Sequence, residues 1–524
     1  MPSARQLAGP VAAVLVLATV AAWWVSSLAP GRYAVTSMGR PDTGRPLGEG
    51  AVLARLQAAE HAGPGRAVAG SGGHASEHAS GHDPVAPSED GPVGAAVSLD
   101  RLLTDRSARP AVHVELATRK GTVRLADGRR VSGYTVNGTS PGPTVEALAG
   151  QLVEVVLRNV DVPDGVTLHW HGMDVPNAED GVAGITQDAV PPGGTHVYRW
   201  RMPRAGTYWY HSHQVSHEQV VGGLLGAVVV RDPHRPTDLD TVALVHTYAG
   251  RRTIAGRTGD TRFPLAPGRT ARVRLVNTDN GGTTAWVTGA GYRVVAVDGT
   301  DVNRPDVVRG QGVDVAAGGR VDLEVTTPTD GSALRVDLPG AGLVIGPPDA
   351  VAPTATRPPT DRLDLLGYGA PRALGAVSGA PDRVFDYAIG RRFGIVDGRP
   401  GLHWTVNGAL FPDVPMFMVR AGDVVRMRIS NDSGEVHPMH LHGHHVVVLS
   451  RDGVAATGSP WVVDSLTVAN GHRYEVAFVA DNPGIWADHC HNLLHAADGL
   501  MAHLMYEGVS TPYRLGRDTG NHPE

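Results

Sequence analysis

His489-Cys490-His491-Asn492-Leu493-Leu494-His495 is the stretch from which the rest of the chain can be read. At the end of a β-strand, residues i and i+2 point to one face and the residue between them to the other. His489 and His491 therefore share a face, and the Cys490 thiol lies on the opposite one. Neutral imidazole and thiolate both suit copper. Two imidazoles and one thiolate in trigonal array make an electron-transfer copper site, and His437 and His495 are the natural partners of Cys490 for it. A lone cysteine is ordinarily a buried, inert thiol; the histidines around this one argue for a metal ligand.

Three more histidine motifs lie upstream: His169-Trp170-His171, His211-Ser212-His213 and His437-Pro438-Met439-His440-Leu441-His442. With 25 histidines in 524 residues, chance supplies about one His-x-His pair. Five occur, and four of them adjoin strand-like alternation. The four place eight imidazoles in pairs, enough to hold several ions.

Alternation and turn signals around these motifs predict an all-β fold. Val112-His-Val-Glu-Leu-Ala and Val153-Glu-Val-Val-Leu-Arg alternate, with Asn137-Gly138 and Pro141-Gly142-Pro143 as turns between them. Tyr134-Thr-Val-Asn137-Gly138 returns as Trp404-Thr-Val-Asn407-Gly408, an internal repeat of domain size. Between the copies lies a strand-rich stretch without histidine motifs (Ala271-Arg-Val-Arg-Leu-Val, Arg293-Val-Val-Ala-Val, Arg320-Val-Asp-Leu-Glu-Val). These features predict three tandem β-sandwich domains at residues 108–233, 234–350 and 380–512, with a Pro-rich linker at 351–379.

The first 107 residues differ. From Leu7 to Ala29 there is no charge, a run at the long end for a signal peptide and sufficient for a membrane anchor. Residues 1–30 are thus expected to form an apolar helix that anchors an extracytoplasmic enzyme to the membrane, with secretion after cleavage as the alternative. Residues 31–107 are expected to be a disordered Gly/Ser/His-rich linker. Its His74, His78 and His82, with His61 upstream, belong either to a solvated tether or to a copper-capturing tract. A net charge of −6 offers no basic stripe for nucleic acid, and a single cysteine excludes an internal disulfide.

In order and separation the four motifs resemble those of the three-domain multicopper oxidases, which include laccases and bacterial copper-resistance oxidases. The resemblance covers roughly residues 110–510. It implies cupredoxin-like Greek-key sandwiches and four copper ions. It assigns His437, Cys490 and His495 to a type 1 copper, with Leu500 at the axial position. His169 and His440 fall to a type 2 copper. His171, His211 and His491 fall to one copper of a type 3 pair, and His213, His442 and His489 to the other. Asp180 matches the acidic residue that family members keep near the cluster, for proton delivery or as a turn former. Ala496 stands where bacterial relatives often carry a second relay Glu. A non-coordinating Leu500 is expected to favour Cu(I) and raise the potential relative to an axial Met.

The expected partners are dioxygen and a one-electron donor, either a phenol or aromatic amine as in laccases, or Cu(I) or Fe(II). The pairs Met416/Met418 and Met501/Met505 fit core filling better than a copper gate. A non-enzymatic relative would have lost ligands, and a two-domain nitrite reductase would lack the middle domain.

Overall fold

In the computed structural model, residues 21, 24–25, 27–45, 96–104 and 106–524 are described. Nearly all regular structure there is β-strand, and the strands pair into three successive two-sheet sandwiches. The first joins Arg130–Val136, Val112–Arg124, Leu152–Asn159 and Thr195–Arg201 in one sheet. Its other sheet joins Val145–Leu148, Leu225–Arg231, Gly206–His211 and His169–His171. The second sandwich has six and five strands, and the third has seven and six. Leu116, Val153, Val155, Leu157, Tyr198 and Trp200 fill the first core. A continuous apolar core runs through the second and third, from Val273 and Leu323 to Val476 and Trp486.

The internal repeat is a repeat of structure. Asn137 and Asn407 both have φ of 52°, each followed by a glycine at positive φ, the backbone of a tight hairpin turn. The Asn137 carboxamide accepts from the Ala117 N–H and donates to the Glu115 carbonyl. Asn407 does the same with Ala388 and Asp386. Each asparagine thus ties its turn to the start of its own domain.

The stretch expected to be linker is structured at both ends. Arg40–Asp42 adds a parallel strand beside Pro415–Val419, and Val97–Ser98 pairs with Val509–Ser510. Val35 and Met38 are buried against Met416, Ile485 and Met505. A few apolar side chains suffice to dock a segment of otherwise polar composition, which corrects the expectation of disorder for residues 31–45 and 96–104. The His61, His74, His78 and His82 tract lies outside the described residues, as do residues 1–20 of the expected N-terminal helix. Among the described residues no helix is long and apolar enough to cross a membrane. The Pro-rich stretch 351–379 is also packed: Leu366 and Tyr368 are buried in the shared core, and the Tyr368 hydroxyl accepts from the Val294 N–H at 3.0 Å.

Candidate metal centre

The strand Ile485–Cys490 runs through the middle of the third domain's six-stranded sheet, between His437–Leu441 and Met501–Tyr506. Its alternation separates two groups of side chains. On one face, Cys490 Sγ lies 3.6 Å from His437 Nδ1 and 3.7 Å from His495 Nδ1, and the two nitrogens are 3.1 Å apart. Three ligand atoms thus converge on one point. The other ring nitrogens are held from outside: His437 Nε2 by Ser433 Oγ at 2.8 Å, and His495 Nε2 by the Asn492 amide at 3.0 Å. Leu500 is fully buried. Its carbonyl accepts from the Cys490 N–H and its N–H donates to the His495 carbonyl, so its backbone is fastened to two of the three ligands. Burial pushes the Cys490 thiol well above its ordinary range, and burial with the neighbouring His495 lowers His437 to about 4. A thiol that costly to ionise in a bare protein calls for a cation.

On the opposite side, His489 and His491 join His169, His171, His211, His213, His440 and His442 between the first and third domains. All eight are 1 % exposed or less. Seven have one ring nitrogen engaged by a fixed partner. His169 and His442 meet the two carboxylate oxygens of Asp180, each at 3.0 Å through Nδ1. His211, His213, His440 and His489 donate through Nδ1 to the carbonyls of Ser212, Pro523, Asp464 and Cys490. His171 engages Asp464 and Ser465 through Nε2 at 3.1 and 3.0 Å.

The remaining nitrogens point inward. Those of His169, His171, His211 and His440 have no partner, and neither nitrogen of His491 has one. His489 Nε2 lies 3.1 and 3.4 Å from the Nε2 atoms of His442 and His213. Each unpartnered buried nitrogen costs about 1–3 kcal/mol, and a metal ion accepting several lone pairs at once would satisfy them together. Burial, reinforced by neighbouring imidazoles, holds His211, His213, His440, His442 and His489 well below their ordinary range. Neutral rings with free lone pairs are what copper needs.

The close groupings set beside the expected ligand sets are informative. His213, His442 and His489 converge as one set, and His437, Cys490 and His495 as another. His169 and His440 converge together with His442. His171 and His211 converge with His169, while the His491 ring lies 4.8 Å from His171 and 5.6 Å from His211. Ala496 is buried and Met416, Met501 and Met505 are core residues.

Several residues not singled out in the sequence shape this chamber. Asp464 stands behind His171 and His440, and its carboxylate is gripped by the buried guanidinium of Arg320 from the second domain. Burial works to raise Asp464, but Arg320 and the hydrogen bonds of His171 and His445 hold it well below the usual carboxylate range. Gly318 packs so closely that a Cβ there would sit 2.8 Å from both the His171 and His491 rings. Gly181 does the same beside His169, where a Cβ would meet the Leu168 carbonyl at 1.8 Å; the turn carrying Asp180 therefore requires glycine. The Glu524 side chain is only 7% exposed, with a carboxylate oxygen 3.7 Å from His213 Nε2 and 3.6 Å from His489 Nδ1. The one available signal was Asp464 itself, a charge inside the apolar run Val462-Val463-Asp464-Ser465-Leu466. Arg320 sits in an alternating stretch that reads as a half-exposed strand.

Models of the multicopper oxidase family match residues 117–235 and 390–508. The chain is 27% identical over 498 residues to the multicopper oxidase MmcO of Mycobacterium tuberculosis, covering 80% of this chain and 92% of that protein. It is 27% identical to Laccase-1 of Botryotinia fuckeliana, over 73% of this chain and 80% of the other. In fold it is similar to Fet3p, a multicopper oxidase that functions in iron import, with a TM-score of 0.66 at 20% identity over 76% of this chain and 90% of that one.

Proposed function

The chain belongs to the multicopper oxidase family and is a copper oxidoreductase, and we propose that it is laccase-like, taking electrons singly from a phenol or aromatic amine and passing them to dioxygen, which is reduced to water. The observation that carries this reading is the back-to-back placement on one strand end of the Cys490 site and the eight-histidine chamber. Copper bound at the two places, one ion beside Cys490 and three among the imidazoles, supplies the redox steps. The protein supplies the connection. The backbone from Cys490 leads directly to His489 and His491, and the His489 Nδ1–H donates to the Cys490 carbonyl at 3.2 Å.

Asp180 orients His169 and His442 through its two oxygens. Burial raises its affinity for a proton, against the pull of His169, which suits it to hold a proton beside the chamber. The His495 edge is where a donor makes contact, since that side chain is 12% exposed while the chamber is closed. Extracytoplasmic placement on a membrane follows from the uncharged run Leu7–Ala29.

The runner-up is a Cu(I) or Fe(II) oxidase, favoured by the Glu435 carboxylate 3.3 Å from His495 Nε2. That carboxylate is already paired with Arg391, whose guanidinium stacks 3.7 Å above Trp404. A neutralised carboxylate flanked by an aromatic ring suits an organic donor better than a cation. The test is dioxygen uptake by copper-loaded protein with a methoxyphenol, Cu(I) and Fe(II) run side by side, corrected for autoxidation. Fastest turnover with the phenol supports the laccase-like reading; faster turnover with either metal ion replaces it.

A further inference from the structure

The hairpin Arg383–Val396 and Arg399–Val406 packs beside the His495 edge through Trp404 and continues past it. Directly opposed residues point to the same face. Along that face Ile389 pairs with Val406 in the core, then Arg391 with Trp404, then Phe393 with Leu402. The Trp404 ring lies 4.6 Å from His437 and 4.5 Å from His495. One step outward, Phe393 and Leu402 are 68% and 63% exposed. Val436, next to His437, and Leu494, next to His495, are 51% and 53% exposed. Single exposed apolar residues need no explanation; several grouped around one site do.

The hairpin tip meets the end of the uncharged N-terminal run. Trp24 Nε1 donates to the Gly398 carbonyl at 2.8 Å, and the Asp397 N–H to the Ser27 carbonyl at 3.0 Å. The Gly398 N–H donates to Ser27 Oγ, and the Ala29 N–H to Asp397. Trp24 and Val25 are themselves 46% and 60% exposed. From Arg391 to the tip is about 20 Å at the rise of an extended strand. The uncharged run that begins at Leu7 ends at this contact; its length suffices to enter a bilayer, and tryptophan is the residue enriched at the bilayer surface.

We propose that the Phe393/Leu402 face is a bilayer contact, and that it presents the His495 edge to a lipid-dissolved hydroquinone as electron donor. The proposal rests on the phenol-donor reading above and names the physical class of that donor. Each hydroquinone loses two electrons, one at a time, and two protons to become a quinone. Two hydroquinones supply the four electrons and four protons that convert one dioxygen to two waters.

The experiment uses the full, copper-loaded chain with phosphatidylcholine vesicles containing a decyl-substituted hydroquinone, and in parallel a water-soluble methoxyphenol. Phe393→Ser/Leu402→Ser is compared with wild type and with Val454→Ser, an exposed valine on a different hairpin. The double variant is expected to lose about tenfold in vesicle-borne turnover while methoxyphenol turnover stays within about twofold, with Val454→Ser unchanged on both. Unchanged vesicle-borne turnover in the double variant overturns the proposal. So does a wild-type dimer that the double variant dissociates, which would make the face an interface between copies. Wild type active on the methoxyphenol but not on the vesicle donor overturns the membrane inference alone; inactivity on both overturns the phenol reading with it.

Discussion

The two faces of the strand Ile485–Cys490 carry related ligand chemistry and opposite construction. The eight-histidine chamber is sealed, with seven of its rings aimed by partners that include carbonyls and the buried carboxylates Asp180 and Asp464. The Cys490 site is drawn from the third domain alone, and its outer ring nitrogens are held by polar side chains near the surface. One arrangement fixes geometry and excludes solvent; the other leaves an imidazole edge within reach. The same residue types thus serve a closed reaction chamber and an open contact, and the difference lies in what stands behind each ring.

Removing Cys490 should break this comparison most completely. Cys490→Ser should abolish intense visible absorption and donor oxidation while the chamber keeps its copper, read by metal analysis and electron paramagnetic resonance. Retained donor turnover would show that electrons enter elsewhere. Next comes Arg320→Met, which leaves Asp464 buried without its guanidinium. Loss of one partner of a buried ion pair costs about 3–5 kcal/mol, and disturbing the support of metal ligands typically costs about 10–100-fold in metal affinity or activity. Wild-type copper content and turnover in that variant would sink the claim that the second domain shapes the chamber.

A smaller effect confined to the open site is expected from Leu500→Met. The type 1 potential should fall and the visible spectrum shift, with a stability change under about 1.5 kcal/mol, while Met501→Leu leaves both unchanged. If Met501→Leu moves the potential, the axial position has been misplaced.

A further prediction concerns stability alone and tests burial at a residue outside the ligand sets, one position before Asp180. Glu179 is fully buried against Arg106, and burial raises it to about 7 from 4.5. Because the folded state keeps the proton that the unfolded chain has lost, its contribution is greatest below about pH 4.5 and disappears as pH rises through 7. Glu179→Gln should remove that slope, on the order of 3 kcal/mol across the window at about 1.4 kcal/mol per pH unit. Parallel stability–pH profiles for the two proteins would contradict it.

What was legible in the sequence follows from this construction. Ligands arranged as His-x-His announce themselves because strand periodicity and ligand spacing coincide, and Cys490 stands out between two of them. Asp464, at the bend between Trp461–Val463 and Ser465–Val468, and Arg320, on a strand of another domain, meet only after two domains dock, so no local spacing records them. Residues 31–45 misled through composition: their Gly, Arg and Pro content reads as tether, yet Val35, Met38 and one three-residue strand hold them to the third domain. The separation of His491 from the tight grouping of His171 and His211 is likewise a matter of side-chain direction that a motif does not specify.

Gly318 belongs to the domain with no ligand in the expected sets, yet it lies flat against two rings of the chamber, and Arg320 two residues on grips the aspartate behind them. Filling the chamber and docking that domain are therefore one equilibrium seen from two sides: whatever tightens the rings tightens the seam. Copper held in the chamber would thereby fasten a domain that supplies none of the expected ligands. In calorimetry, apo protein should unfold in resolved steps, with the second and third domains melting together because they share a core, and copper loading should merge the steps into a single cooperative transition.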